Sequence, residues 1–160
     1  MYEWAGQLCA VNVKKDVPGA EFFMPSGHIA LAAAHCFQDL ASEEHLTGLE
    51  CEAFVERLAF HYEKINYVQT FGEGNGRTQR VFGNRVALEA GWQLDWRPVH
   101  GEESHIAARA GYDDRNLLPL ISMFEKIVAP AVMEPSEARP TQELRRLSIN
   151  TSDTDRAAED

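Results

Sequence analysis

Phe71-Gly72-Glu73-Gly74-Asn75-Gly76-Arg77-Thr78-Gln79-Arg80 decides how this chain is read. An amphipathic pattern runs into the stretch and a second runs out of it. Gly72, Gly74 and Gly76 fall close together. Glycine gives up the most backbone entropy in a helix, so the stretch reads as a tight loop between two helices. It carries an acid, an amide, a pair of arginines and a row of unencumbered backbone N–H groups. A glycine approach to a helix N-terminus holds anions, because the first amides there are unpaired and the dipole is positive. Arg77 and Arg80 share a face of the first turn and can grip one anion together. Glu73, the odd acid among them, makes sense as a Mg2+ ligand beside a polyphosphate.

The loop is not a Walker P-loop, since no lysine follows its glycines. It is not a dinucleotide fingerprint either, because a helix precedes it instead of a strand. A plain helix–helix turn with surface arginines is the bland alternative. The ordered acid, amide and arginines favour an anion site.

Working outward, Phe54, Leu58, His61, Ile65 and Val68 repeat at helical spacing, so a central helix delivers Gln69 to the loop. His61 lies on its buried face and reads as a hydrogen-bonded core histidine. Eight residues of helix put it about 12 Å from position 69, too far to act there. After the loop, Val81, Phe82, Val86 and Ala90 continue as a helix closed by Gly91. Trp92 to Trp96 reads as a short extended link ended by Pro98. Glu102 to Ala110 reads as a short helix broken at Gly111. Asn116 is expected to cap a last apolar helix holding Leu117, Leu120, Ile121, Phe124, Ile127 and Val128.

Upstream, Val11-Asn12-Val13 alternates, Asp16-Val17-Pro18-Gly19 supplies turn chemistry and Phe22-Phe23 follows, which predicts a β-hairpin. Ser26 is the expected N-cap of the next helix, whose Ile29, Ala32, Ala33, Cys36, Phe37 and Leu40 share a face. Beyond Pro130 the composition changes. Residues 133–160 read as a disordered acidic tail, with room for a short helix at 142–147.

At 160 residues the chain is one domain, and 44% hydrophobic with 25% charged residues is globular composition. A net charge of −10 argues against direct nucleic-acid binding over the whole surface. No run reaches transmembrane length and no signal-peptide pattern opens the chain. Cys9, Cys36 and Cys51 lack metal spacing and read as free thiols of a reducing cytoplasm. A zinc site through His35 and Cys36 is disfavoured, because adjacent helical residues point to different faces.

The central loop resembles the signature of the Fic family, H-P-F-x-[DE]-G-N-G-R-x-x-R, which Phe71, Glu73, Gly74, Asn75, Gly76, Arg77 and Arg80 match. Tyr2-Glu3-Trp4-Ala5-Gly6 is similar to the family's D-W-A-G, and residues 54–59 and 91–96 also resemble Fic sequence. The resemblance implies a mostly α fold, a Fic helical bundle over residues 1–132 with a small β-hairpin flap and without the usual leading helices. It also implies the chemistry of a Fic-type protein adenylyltransferase, which moves AMP from ATP to a hydroxyl of a target protein. On that reading Phe71, Gly74, Asn75, Gly76, Arg77 and Arg80 bind the nucleotide, with Asn75 and Arg77 also catalytic, and Glu73 binds Mg2+. Val11, Asn12, Val13, Phe22 and Phe23 form a flap that pairs with the target by β-augmentation.

The sequence departs from the family at the catalytic position. Gln69-Thr70 stands where the resemblance implies His-Pro. Imidazole suits a general base because it titrates near neutral pH, whereas a glutamine amide takes no proton there. Slow transfer, and a binding module that has lost transfer, both stay open. So do an engineered and a natural origin for Gln69, with Thr70 favouring the natural one. Cys9 stands where the family often has arginine, which puts that contact in doubt. The family's self-inhibitory pattern, [ST]-x-x-x-E-[GN], is absent from the chain. Any inhibition would come from a separate antitoxin-like protein.

Overall fold

The computed structural model describes residues 6–14 and 22–132. Its axis is α2 (Cys51–Val68), around which α1 (Ile29–Ser42), α3 (Asn75–Glu89), α4 (Gly101–Asp114) and α5 (Leu118–Ile127) pack. The apolar repeat on α2 explains this. Phe54, Val55, Leu58, Ala59 and Tyr62 are buried against Val86 and Ala87 of α3, Ala107 of α4, and Leu120, Met123, Phe124 and Ile127 of α5. A smaller cluster of Cys9, Ile29, Cys36 and Val68 ties the N-terminal segment to α1 and to the end of α2. The fold is the mostly helical one expected. No described helix is long and apolar enough to cross a membrane.

The regular sheet is not at the expected hairpin. It pairs β1 (Trp92–Leu94) antiparallel with β2 (Val128–Pro130), with Gln93 opposite Ala129. The expectation of an extended link at residue 92 onward was right, but Val128 belongs to β2 and not to the last helix. Its apolar run hides the boundary, since a short buried strand and the end of a helix look alike in pattern. At the hairpin, Lys14 and Phe22 form an isolated antiparallel bridge, and Phe23 N–H donates to Val13 O at 3.0 Å. The turn residues 16–19, Tyr2 to Ala5 and the tail from 133 lie outside the described residues.

Helix termini depart from expectation in instructive ways. Ser26 does not cap α1. It opens a 3-10 turn at Ser26–His28, and its own N–H donates to Asn12 Oδ1 at 2.9 Å. Asn116 Oδ1 does accept from Leu118 N–H at 3.1 Å, at the start of α5. Gly91, at φ +87°, takes the left-handed position that ends α3. Gly111 does not break α4, which runs on to Asp114. A Cβ at Gly111 would meet Glu63 Cγ at 2.9 Å and Leu120 Cδ1 at 3.4 Å, so glycine there serves close approach of α4 to α2 and α5. His61 is 2% exposed, with Nε2 3.2 Å from Glu43 Oε1, and Glu43 also accepts from Arg57 Nε at 2.8 Å.

Gly111→Val should overpack the α2–α4–α5 junction and cost about 1–3 kcal/mol. A lowered denaturation midpoint measures this, and an unchanged one contradicts it. A second expectation concerns acid. Burial pushes His61 below its ordinary value of 6.5, against the raising effect of Glu43. The unfolded chain therefore takes up this proton first, and stability falls as pH drops below 6.5 toward the lower folded value. His61→Gln should remove the part of the acid loss that sets in there. Denaturation midpoints across pH 5 to 8 (roughly the histidine range) would show the loss persisting unchanged if His61 were not its source.

Candidate functional site

The apolar stripe on α2 fixes where its last turn points, and the helix ends when Gln69 turns left-handed at φ 46°, ψ 59°. A non-glycine residue there carries strain of about 1 kcal/mol or more. Gln69 Nε2 offsets part of it by donating to the Asn66 carbonyl at 3.0 Å. Gln69 Oε1 accepts no hydrogen bond among the described residues.

Asn75 then closes the loop. Its Oδ1 accepts from Phe71 N–H at 2.9 Å and its Nδ2 donates to Phe71 O at 2.5 Å. Gly74 stands before α3 at φ 83°, a left-handed turn that glycine makes without penalty. No side chain caps α3, and Thr78 N–H is the first to find a helical carbonyl, that of Gly74 at 3.0 Å. The amides of Asn75, Gly76 and Arg77 are thus left to whatever sits before the helix.

In front of them is a cleft of about 470 Å3, whose lining includes Gln69, Glu73, Asn75, Arg77 and Arg80. Arg80 is half-buried, with Cζ 5.1 Å from the centre of the Trp96 ring. Trp96 is itself fixed by Nε1–H donating to Asn84 Oδ1 at 2.7 Å. Arg77 lies back over Gly74, where a Cβ would meet its Nη2 at 3.4 Å, with its side chain 83% exposed and Nη2 3.8 Å from Glu73 Oε1. Both arginines thus line one cleft, Arg80 against the Trp96 ring and Arg77 exposed beside Glu73. Glu73 is 77% exposed and is a single carboxylate, with no cluster of metal-binding side chains around it among the described residues. That donor set fits Mg2+ carried in on phosphates, since Mg2+ keeps waters and needs few protein ligands.

Sequence reasoning missed the amides beneath the loop. Asn66 and Gln79 are each 6% exposed, and Gln79 Nε2 donates to Asn66 Oδ1 at 3.4 Å. The signal was a polar residue on the buried face of each helix. Tyr62, Ser104 and His105 also face the cleft. Burial pushes the Tyr62 phenol up to about 12, so it stays protonated.

The flap residues divide. Val11 lines a groove of about 540 Å3 with Phe71, Glu73 and Thr78, and Cys9 N–H donates to Thr70 O at 2.9 Å beside it. Asn12 and Val13 are spent on holding Ser26 and Phe23. Phe23 is buried, 5.1 Å from the Tyr112 ring, and Phe22 is exposed on the far side of the bridge. His35 is exposed and Cys36 buried, and although both border one cavity no cluster of metal-binding side chains forms there among the described residues; burial pushes the Cys36 thiol up.

Comparison with known proteins bears on this geometry. The model of the Fic/DOC family matches residues 13–87, which take in the hairpin, α1, α2, the loop and most of α3. "Probable protein adenylyltransferase Fic" of Escherichia coli K12 is 36% identical over 132 residues, 82% of this chain. The chain spans 64% of that relative's length. The solved FIC domain of Bep8 protein from Bartonella sp. 1-1C is 31% identical at a TM-score of 0.67, over 73% of this chain and 56% of that one. A Fic domain of a Bep effector from Bartonella quintana, solved with bound ADP, shares the fold at a TM-score of 0.76 and 24% identity, over 81% of this chain and 66% of that one. The matched loop, the helices that hold it and the shared fold together place this chain in the Fic/DOC family.

Proposed function

We propose that residues 1–132 form a Fic domain that binds Mg2+·ATP in the cleft before α3 and retains the phosphate-handling half of AMP transfer, with transfer itself weak or lost. The observation that carries this is the pairing of an uncapped α3 N-terminus with Arg77 and Arg80 around one cleft, while Gln69 stands at its edge. The E. coli relative's name gives the reaction class, and the bound ADP of the B. quintana neighbour gives the ligand class.

In that reaction the target's hydroxyl oxygen bonds to the α-phosphorus, the bond to the β-phosphate oxygen breaks, and pyrophosphate leaves. The hydroxyl proton must go to an acceptor. Amides of Asn75, Gly76 and Arg77 would donate to the α- and β-phosphates, and Arg77 and Arg80 would neutralise the leaving group. Bound Mg2+, held by Glu73, would add charge neutralisation and orientation. Gln69 Oε1 can accept a hydrogen bond from the target hydroxyl but cannot keep its proton. The flap segment of Val11, Asn12 and Val13 would guide the target segment past Phe71 and Glu73.

The second reading is a binding module that engages nucleotide or target without transfer, and Gln69 is the observation that favours it. A separate antitoxin-like inhibitor would be needed only under the first. The free thiols of Cys9, Cys36 and Cys51 fit a reducing, cytoplasmic setting for either. Residues 133–160 take no part in the proposal.

Calorimetric titration with Mg2+·ATP tests the cradle. Arg80→Ala should weaken binding about 10–100-fold, as loss of a charge-assisted contact does. Asn75→Ala should open the loop, cost about 1–3 kcal/mol of stability and weaken the same binding. If neither substitution changes ATP affinity, or the unaltered chain binds none, the cleft is not a nucleotide site.

A further inference from the structure

A second cavity, of about 830 Å3, lies outside the nucleotide cleft, and no step above uses it. Its volume is that of a ligand-sized site. It opens on the opposite face of α2. Tyr62, Asn66 and Gln69 face the nucleotide cleft, whereas Phe60, Glu63, Lys64 and Tyr67 face this one. Ala32 and His35 of α1 and Tyr112 of α4 supply further walls.

Its charges are unevenly matched. Lys64 is paired with Asp39, and Asp113 holds Arg109 at 2.7 Å. Glu63 is different. Its stem packs against Gly111, it lines the cavity half-buried, and no hydrogen bond or ion pair reaches it among the described residues. Burial pushes its proton affinity up, and Arg115 and Lys64 lower it only from a distance. An acid left without a partner in a desolvated place is costly unless a cation arrives.

The walls beside it are aromatic. Tyr67 and Tyr112 stack with ring centres 5.6 Å apart, one turn along α2 from Glu63. Phe60 already carries Arg57 at 4.4 Å and Lys64 at 5.1 Å, which shows the chemistry these rings take. A carboxylate beside stacked tyrosines is the recognition set for a planar cation. The chain's net charge of −10 draws cations toward it.

We propose that this cavity is a binding site for a guanidinium group on an aliphatic stem, with Glu63 as its counter-ion and the Tyr67–Tyr112 pair as its stacking wall. The wall is also the root of the flap. Met24 N–H donates to Tyr67 O at 3.2 Å, and Tyr112 Oη donates to Phe22 O at 2.7 Å. The guanidinium comes either from a free small molecule or from an arginine of a partner chain, and both present the same chemistry. The inference is independent of the nucleotide reading.

Calorimetry on the full chain tests it with three probes: N-acetyl-arginine methylamide, its neutral citrulline counterpart, and a capped pentapeptide with one central arginine among leucines and alanines. The arginine amide or the pentapeptide should bind, and the citrulline probe should not. Glu63→Gln, which keeps shape, should weaken binding about 10–100-fold and leave Mg2+·ATP affinity unchanged. Arg115→Ala, which removes a competing charge at the mouth, should strengthen it. Binding of the amide alone assigns a small-molecule cation, and binding of the pentapeptide only assigns a partner's arginine. Failure of both to bind, equal binding of citrulline, or full affinity in a folded Glu63→Gln overturns the proposal.

Discussion

Asn75 holds the backbone of Phe71 by both its N–H and its C=O, and the rest of the site depends on that clamp. It converts a glycine-rich stretch into a loop of fixed shape. The left-handed Gln69 on one side and the left-handed Gly74 on the other supply the reversals that the clamp locks. With the loop closed, α3 presents its first amides and Arg77 and Arg80 to one cleft. Without it, Gly72 and Gly74 in the loop would sample many shapes, and the proposed anion site would have to be ordered by its ligand at an entropic cost.

The elements around the clamp answer to it. The core of α2 against α5 sets the direction in which Gln69 emerges, and the Cys9–Thr70 hydrogen bond brings the N-terminal segment alongside. Trp96, held by Asn84, gives Arg80 a ring to lie on, so one cation is pre-positioned while Arg77 stays exposed beside Glu73. Such preorganised charge is the larger part of what a phosphoryl-type site supplies. On the proposed reading the proton acceptor is a separate component, and it is the component that Gln69 would change. The cradle and the base can therefore fail independently, which is why binding and transfer must be measured apart.

Much of this was legible in the sequence because it rests on local patterns. The helical spacing from Phe54 to Val68 gave the central helix, and the glycines gave the loop. What escaped depends on contacts between distant segments. Gly111 looked like a helix end, but it is a close approach to Glu63 and Leu120 that only the packed bundle reveals. Val128 looked helical because its partner strand lies thirty-odd residues earlier. Glu44, His45 and Leu46 all take positive φ so that Leu46 can reach the core, and nothing in that tripeptide announces it. Within the site, the motif residues were found and the Asn66–Gln79 amides beneath them were not, since a buried polar pair has meaning only once both helices are placed. The roles of the named residues rest on the proposal, whereas Gln69, Glu73, Gly74, Asn75, Gly76, Arg77 and Arg80 are seen to line one cleft and Phe71 lines the groove beside it.

The central claim is an assembled phosphate cradle that lacks its proton acceptor. Its most direct test is transfer of labelled AMP from saturating Mg2+·ATP, compared between the unaltered chain and Gln69→His. The account predicts transfer at or near background with glutamine and a rise of about 10²–10⁴-fold with histidine, the usual worth of a general base. Robust transfer by the unaltered chain, or none gained by Gln69→His while ATP still binds, would contradict it.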